Sequence, residues 1–146
     1  QARTGVRVEL IASDWAQAQQ NMRQGRADVI DTIFRTPERE LRLDFSKPYV
    51  TLPVSIYTIS KLLGINDMSG LEGFQVGVKD GDACIDKLLA GGISDVKPYS
   101  DYESLLQAVL AGKVHVFCMD DPPANYLIFR DGAERLIHKA FTLYSG

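Results

Sequence analysis

Residues 102–119, YESLLQAVLAGKVHVFCM, carry the pattern that decides the fold. Tyr102, Leu105, Leu106, Val109 and Leu110 recur at helical spacing, Gly112 stops the helix, and residues 114–119 form an apolar, β-branched run suited to a buried strand. A helix that passes at once into a buried strand is the repeating unit of an α/β sheet with parallel pairing. Toward the N-terminus the same grammar repeats. Residues 74–79 read as a strand, Gly81-Asp82 as a turn and cap, residues 83–90 as a helix closed by Gly91-Gly92, and a short strand surrounds Val96.

A second copy of the helix-Gly-strand unit lies near the start of the chain. Asp14-Trp15, a helix, Gly25-Arg26 and Asp28-Val29-Ile30 align without a gap on Asp101-Tyr102, a helix, Gly112-Lys113 and His115-Val116-Phe117. In this first copy the spacing predicts a strand over 6–12, a helix capped by Ser13 or Asp14 and carrying Trp15, Ala18 and Met22, and a second strand over 27–34. Two such units imply two lobes of similar design. The extended run 51–59 and the strand-like run 136–144 are expected to cross between them as a hinge. The expected division is 1–59 for a partial first lobe and its hinge strand, 60–134 for the second lobe, and 135–146 for the returning strand.

The chain has 146 residues, 45% hydrophobic and 24% charged, enough for one ordinary domain or two small lobes with a core. The formal net charge is −3, with 16 scattered basic residues, which leaves no footprint for a nucleic-acid backbone. No apolar run approaches the roughly 20 residues of a membrane span. Neither a nucleophile elbow, a phosphate loop, a dinucleotide fingerprint nor a histidine pair at metal spacing is present, so neither catalysis, a metal nor a cofactor is expected. His115 and His138 receive no role. Cys84 and Cys118 are read as buried free thiols by default, a bridge between them being compatible with an oxidising compartment.

Candidate ligand contacts cluster at predicted strand ends. Thr36 can cap a helix that begins at Pro37, which places Arg39 one turn in, where its guanidinium can meet a carboxylate in two-point fashion. The competing role for Arg39 is a surface ion pair with Glu38, Glu40 or Asp44. Asp120 follows a strand and precedes Asp121-Pro122-Pro123, so it serves either as an acceptor for an ammonium group or as an N-cap, a job Asp121 can equally do. Gly81-Asp82 occupies the equivalent place in the neighbouring unit. Among the aromatic residues, Trp15 and Tyr102 are assigned to the core, whereas Phe34 is placed to wall a pocket.

These residues resemble a known family. Trp15…Gly25-Arg26-Ala27-Asp28-Val29-Ile30, Thr36-Pro37-Glu38-Arg39 and Asp44-Phe45-Ser46-Lys47-Pro48-Tyr49, together with residues 73–81 and 102–120, resemble the bacterial extracellular solute-binding proteins of family 3, polar amino-acid type. Residues 31–39 and 120–126 and the ending Leu143-Tyr144-Ser145-Gly146 are similar to versions that serve as sensor modules of bacterial signalling proteins, tethered to a diguanylate cyclase or histidine kinase.

The resemblance implies an α/β, two-lobed periplasmic-binding-protein type 2 fold, the Venus-flytrap, with the first lobe incomplete. It implies a non-catalytic, extracytoplasmic sensor for an amino-acid-like solute, attached to a membrane only through segments outside these residues. The alternatives are a soluble subunit of an ABC amino-acid transporter and, less favoured, a dehydratase-type enzyme. It gives Arg39 the ligand carboxylate, Asp120 the ammonium, Thr32 and Phe34 the first-lobe wall, and Gly81, Asp82 and Ala83 the second. The chain departs from amino-acid-binding relatives at Phe34, where a small hydroxyl residue is common, and at Asp82 and Ala83, where Ser or Thr is common. The family's opening strand and helix and its closing helix are missing from this stretch, so a homodimer that shields the partial lobe is expected.

Overall fold

The computed structural model describes residues 4–146. Its framework is one mixed sheet of five strands in the order β3-β2-β4-β1-β5. The strands are β1 (Pro53–Ile59), β2 (Val76–Lys79), β3 (Val96–Tyr99), β4 (Val116–Asp120) and β5 (Ile137–Ser145). β2 runs parallel to β3 and to β4, as the helix-strand grammar predicts, whereas β1 pairs antiparallel with both β4 and β5. The two runs expected to cross between lobes are therefore neighbours in the same sheet.

Helices α3 (Ala83–Ala90), α4 (Tyr102–Leu110) and α5 (Asp121–Arg130) cover the sheet. Two apolar clusters result. One joins Tyr57, Phe117 and Met119 to Leu105, Leu106 and Val109 of α4 and to Leu127 and Ile128 of α5. The other joins Val54, Ile56, Val76, Val78 and Val116 to Leu88 of α3 and to Leu71. The inner strands β1, β2 and β4 thus bury both faces, which is why 116–119 reads as a continuous apolar run and does not alternate, whereas the edge strands β3 and β5 are largely uncovered.

Local signals set the helix ends. Asp14 caps α1 (Trp15–Arg23), accepting from Gln17 N, and Gly25 follows with φ 66°. Thr36 caps the single turn α2 (Pro37–Glu40), accepting from Arg39 N. Asp101 and Ser104 form a reciprocal capping box on α4, and Gly112, at φ 70°, stops it.

Two sequence expectations are corrected. Residues 6–12 and 27–34 are not strands, so α1 stands without the flanking strands of a βαβ unit. Val6, Val8 and Leu10 are 60, 61 and 92% exposed, and Val29 is 80% exposed. Alternation prepares a segment to be half-buried, but a strand exists only where a neighbour completes its hydrogen bonds, and among the described residues none pairs with it. The second correction concerns the thiols. Cys84 and Cys118 are joined in a disulfide across a Cα–Cα distance of 6.6 Å, since the first turn of α3 packs directly on β4.

Candidate functional site

Parallel strands β2, β3 and β4 end together at Lys79, Tyr99 and Asp120. This carboxyl edge is where α/β sheets form ligand clefts, because helix N-termini and loops converge there. The turn after β2 brings Gly81 to φ 69° and Asp82 to the N-cap of α3. Asp82 is only 7% exposed. Its Oδ1 accepts from Cys84 N, while its Oδ2 accepts from the Tyr102 hydroxyl at 2.8 Å and lies 3.4 Å from Lys79 Nζ. That ammonium sits 3.9 Å from the ring centre of Tyr102 and 5.1 Å from that of Trp15. Two aromatic faces and one carboxylate thus hold a nearly buried cation.

Elements α1 and α2 approach this turn from the other side. The Gly81 carbonyl accepts from three side chains: Trp15 Nε1 at 3.0 Å, Gln19 Nε2 at 2.9 Å and Arg39 Nη2 at 3.2 Å. Arg39 Nη1 also donates to the Phe34 carbonyl at 2.8 Å. Arg39 is not in the surface pair considered for it, since Glu40 pairs with Arg35. The positive φ of Gly81 favours glycine here, and a Cβ at this position, 2.6 Å from Gln19 Nε2, would displace the glutamine amide from its bond to the Gly81 carbonyl.

Two cavities open beside this contact. The larger, about 610 Å³, lies between α1, α2 and the start of α3, and it is lined by Arg39, Gly81 and Asp82 together with Glu38, Arg42 and Asp86. Burial and the neighbouring Glu38 carboxylate raise the Asp86 carboxyl above its ordinary range. The smaller cavity, about 300 Å³, is lined by Thr32, Phe34 and Asp120, with Tyr49 and Gly146. Ala83 is buried and lines neither. Six of the seven candidate residues are thus divided between two adjoining spaces, and Ala83 belongs to neither.

Thr32 has φ 57°, the sole positive value at a non-glycine among the described residues. Its N–H donates to the Tyr49 hydroxyl at 3.0 Å, and that hydroxyl donates to Asp31. Phe34 meets the ring of Tyr144 edge to face at 5.7 Å. Asp120 ends β4 and occupies the N-cap position of α5, yet its side chain makes no cap bond and its Oδ1 is buried with no partner. Burial, and then the charge of Asp82, push its carboxyl up to about 6, with Lys79 opposing. Asp121 has other partners, accepting from the Tyr57 hydroxyl at 3.0 Å and from Lys139 Nζ at 2.8 Å.

The sequence reading missed Lys79, Gln19 and Tyr144; of the two rings it assigned to the core, Tyr102 does pack against the cluster of α4 and α5, whereas Trp15 joins neither cluster, and both rings flank Lys79. A signal existed for Lys79 and Tyr102. One is the last residue of a parallel strand and the other the first of a helix, so both belong to the carboxyl edge. Nothing local marks Gln19 or Tyr144.

Comparison with known proteins accords with this geometry. Residues 1–108 match the model of the bacterial extracellular solute-binding proteins, family 3. No curated protein sequence matches the chain. Among solved structures, an ancestral arginine-binding protein bound to arginine is similar at 24% identity and a TM-score of 0.82, over 97% of this chain and 64% of its own. A histidine kinase sensor domain with similarity to periplasmic binding proteins is similar at 17% identity and a TM-score of 0.82, over 90% of this chain and 58% of its own. The periplasmic domain of BvgS from B. pertussis is similar at 25% identity and a TM-score of 0.77, over 96% of this chain and 28% of its own. The chain spans 64% of the length of the arginine-binding relative, and its fold is that part of the periplasmic-binding-protein architecture. With its matched residues reaching from the N-terminus into α4, this chain belongs to the bacterial extracellular solute-binding proteins of family 3.

Proposed function

We propose that the chain is the solute-binding region of an extracytoplasmic sensor, taking an amino-acid-like ligand and signalling through closure of the two sides of its cleft. One observation carries the reading. Arg39 from α2 and Asp82 from the β2–α3 turn, opposite charges from opposite sides, face the same cavity of about 610 Å³. A zwitterion matches such a cavity, its carboxylate replacing the carbonyl oxygens of Phe34 and Gly81 on Arg39 and its ammonium turning to Asp82 or Asp120. Thr32 and Phe34 wall the adjoining smaller cavity, and Gly81 and Asp82 form the loop opposite α2.

Further support comes from the relatives. An arginine-binding protein and two sensor domains share the fold, and the family itself is one of binding proteins. The buried Cys84–Cys118 bridge suits an oxidising, extracytoplasmic compartment. On this reading residues 60–134 move against residues 1–59 about the strands β1 and β5, and the membrane is reached through segments outside these residues.

A thermal-shift screen of the intact protein against the twenty L-amino acids tests it. A ligand present at 100 times its Kd adds about 2.7 kcal/mol to stability, a readily measured rise in Tm. No shift with any of the twenty would sink the amino-acid reading.

A further inference from the structure

The register of the sheet sets three residues side by side across three strands. Asp120 of β4 stands opposite Val54 of β1, and Val54 stands opposite Tyr144 of β5. Residues paired in this way point to the same face, and two strand spacings separate the backbones of Asp120 and Tyr144 by about 10 Å. A register shift between β1 and β5 falls immediately after this row, between Val54 and Ser55, and bulges of this kind re-aim the side chains beside them.

Both ends of the row carry a buried polar atom without a partner, Oδ1 of Asp120 and the hydroxyl of Tyr144. Such groups are uncommon in folded proteins, since each loses its water and receives nothing in return. The Tyr144 ring is held in place, edge to face against Phe34 at 5.7 Å and with Lys87 Nζ 5.6 Å from its centre. Phe34 and Asp120 both line the smaller cavity. Tyr144 itself lines neither cavity, and it meets the smaller one through Phe34, whose ring separates the buried hydroxyl's residue from that space.

We propose that Tyr144 is a ligand contact, its hydroxyl donating to the carboxylate of an α-amino acid whose ammonium is taken by Oδ1 of Asp120. Arg39 lines the adjoining larger cavity and donates to the backbone of Phe34, the residue packed on the Tyr144 ring, so on this assignment the carboxylate lies where the two cavities meet. The hydroxyl thus supplies a neutral donor beside a cationic one. It favours ligands with a free carboxylate over the corresponding amines. This assignment rests on the amino-acid reading above and adds a discriminating residue to it.

The test is Tyr144→Phe in the intact protein, which removes one oxygen and keeps the ring. Calorimetric titration is run with each L-amino acid that binds in the screen and with the matching amine that lacks the carboxylate. The expected result has three parts. Affinity for the amino acid falls at least tenfold, affinity for the amine changes less than twofold, and the ligand-free Tm holds or rises because an unpartnered buried hydroxyl is gone. Unchanged affinity for the amino acid overturns the assignment. So does an equal loss for acid and amine with a lowered Tm, which marks a structural role. Failure of every amino acid to bind the unaltered protein overturns the binding reading itself and this assignment with it, whereas normal binding that ignores Tyr144→Phe removes only Tyr144.

Discussion

Arg39 holds two backbone carbonyls by separate guanidinium nitrogens, one from its own segment and one from the far side of the cleft. A lysine can reach one of them but cannot reproduce a planar fork. Arg39→Lys is expected to weaken a carboxylate ligand by about 1 to 3 kcal/mol, and unchanged affinity in a titration would exclude Arg39 from the site. Asp120 sets a pH dependence. Its carboxyl titrates near 6 in the folded chain, above the roughly 3.9 of an unfolded one, so the folded state holds the extra proton between these values. Stability of the ligand-free protein therefore falls as pH rises from about 4 to about 6, by an amount on the order of 1 to 3 kcal/mol. Urea melts at pH 4.5 and pH 7 should show that slope, and Asp120→Asn should lack it. Affinity for an ammonium ligand changes in the opposite sense, growing over the same interval as the carboxylate ionises.

Among the elements, α1 is anchored to the sheet side by its N-terminal half. Trp15 and Gln19, one turn apart on one face of the helix, share the Gly81 carbonyl with Arg39. Gly81→Ala would place a Cβ 2.6 Å from Gln19 Nε2 at a positive φ. It is expected to cost about 1 to 2 kcal/mol and to loosen α1, read as faster amide exchange over 15–23 with α4 unchanged. The disulfide acts on the next element. It ties the first turn of α3, two residues after Asp82, to β4, two residues before Asp120, across a sequence separation of 34. Loop-closure entropy for that length gives a stabilisation of about 4 kcal/mol, and the Cys84→Ala, Cys118→Ala double variant should show a loss of that order in denaturant melts. A loss below about 1 kcal/mol would mean that packing alone holds the two segments.

At the scale of the whole molecule, burial is uneven. The sheet and its three helices hold almost all of the buried apolar residues, while Val6, Val8, Leu10, Ile11, Val29 and Leu41 are exposed on the other side of the cleft. Apolar surface of that extent drives association when nothing covers it. The 146-residue chain on its own is expected to self-associate, and light scattering over a dilution series checks this. A monomer at every concentration would mean that these residues find cover within their own chain.

What the sequence determined by itself is local. Asp14, Thr36 and Asp82 are caps because a short polar side chain followed by a helical pattern satisfies free N–H groups within three residues, and Gly25 and Gly112 end helices because they take positive φ without strain. The apolar run 114–119 marked a central strand for the same reason, since burial on both faces is written in the residues themselves. Residues 6–12 mark the limit of such reading. Their alternation is that of a strand, yet strandedness belongs to a pair, and the partner is a tertiary fact. The site shows the same division. Arg39, Asp82 and Asp120 were legible as chemistry at the ends of elements, while the meeting of Trp15, Lys79 and Tyr102, the threefold use of the Gly81 carbonyl, and the row from Asp120 through Val54 to Tyr144 follow from strand register and helix docking. Those depend on contacts between residues distant in sequence, which no local pattern encodes.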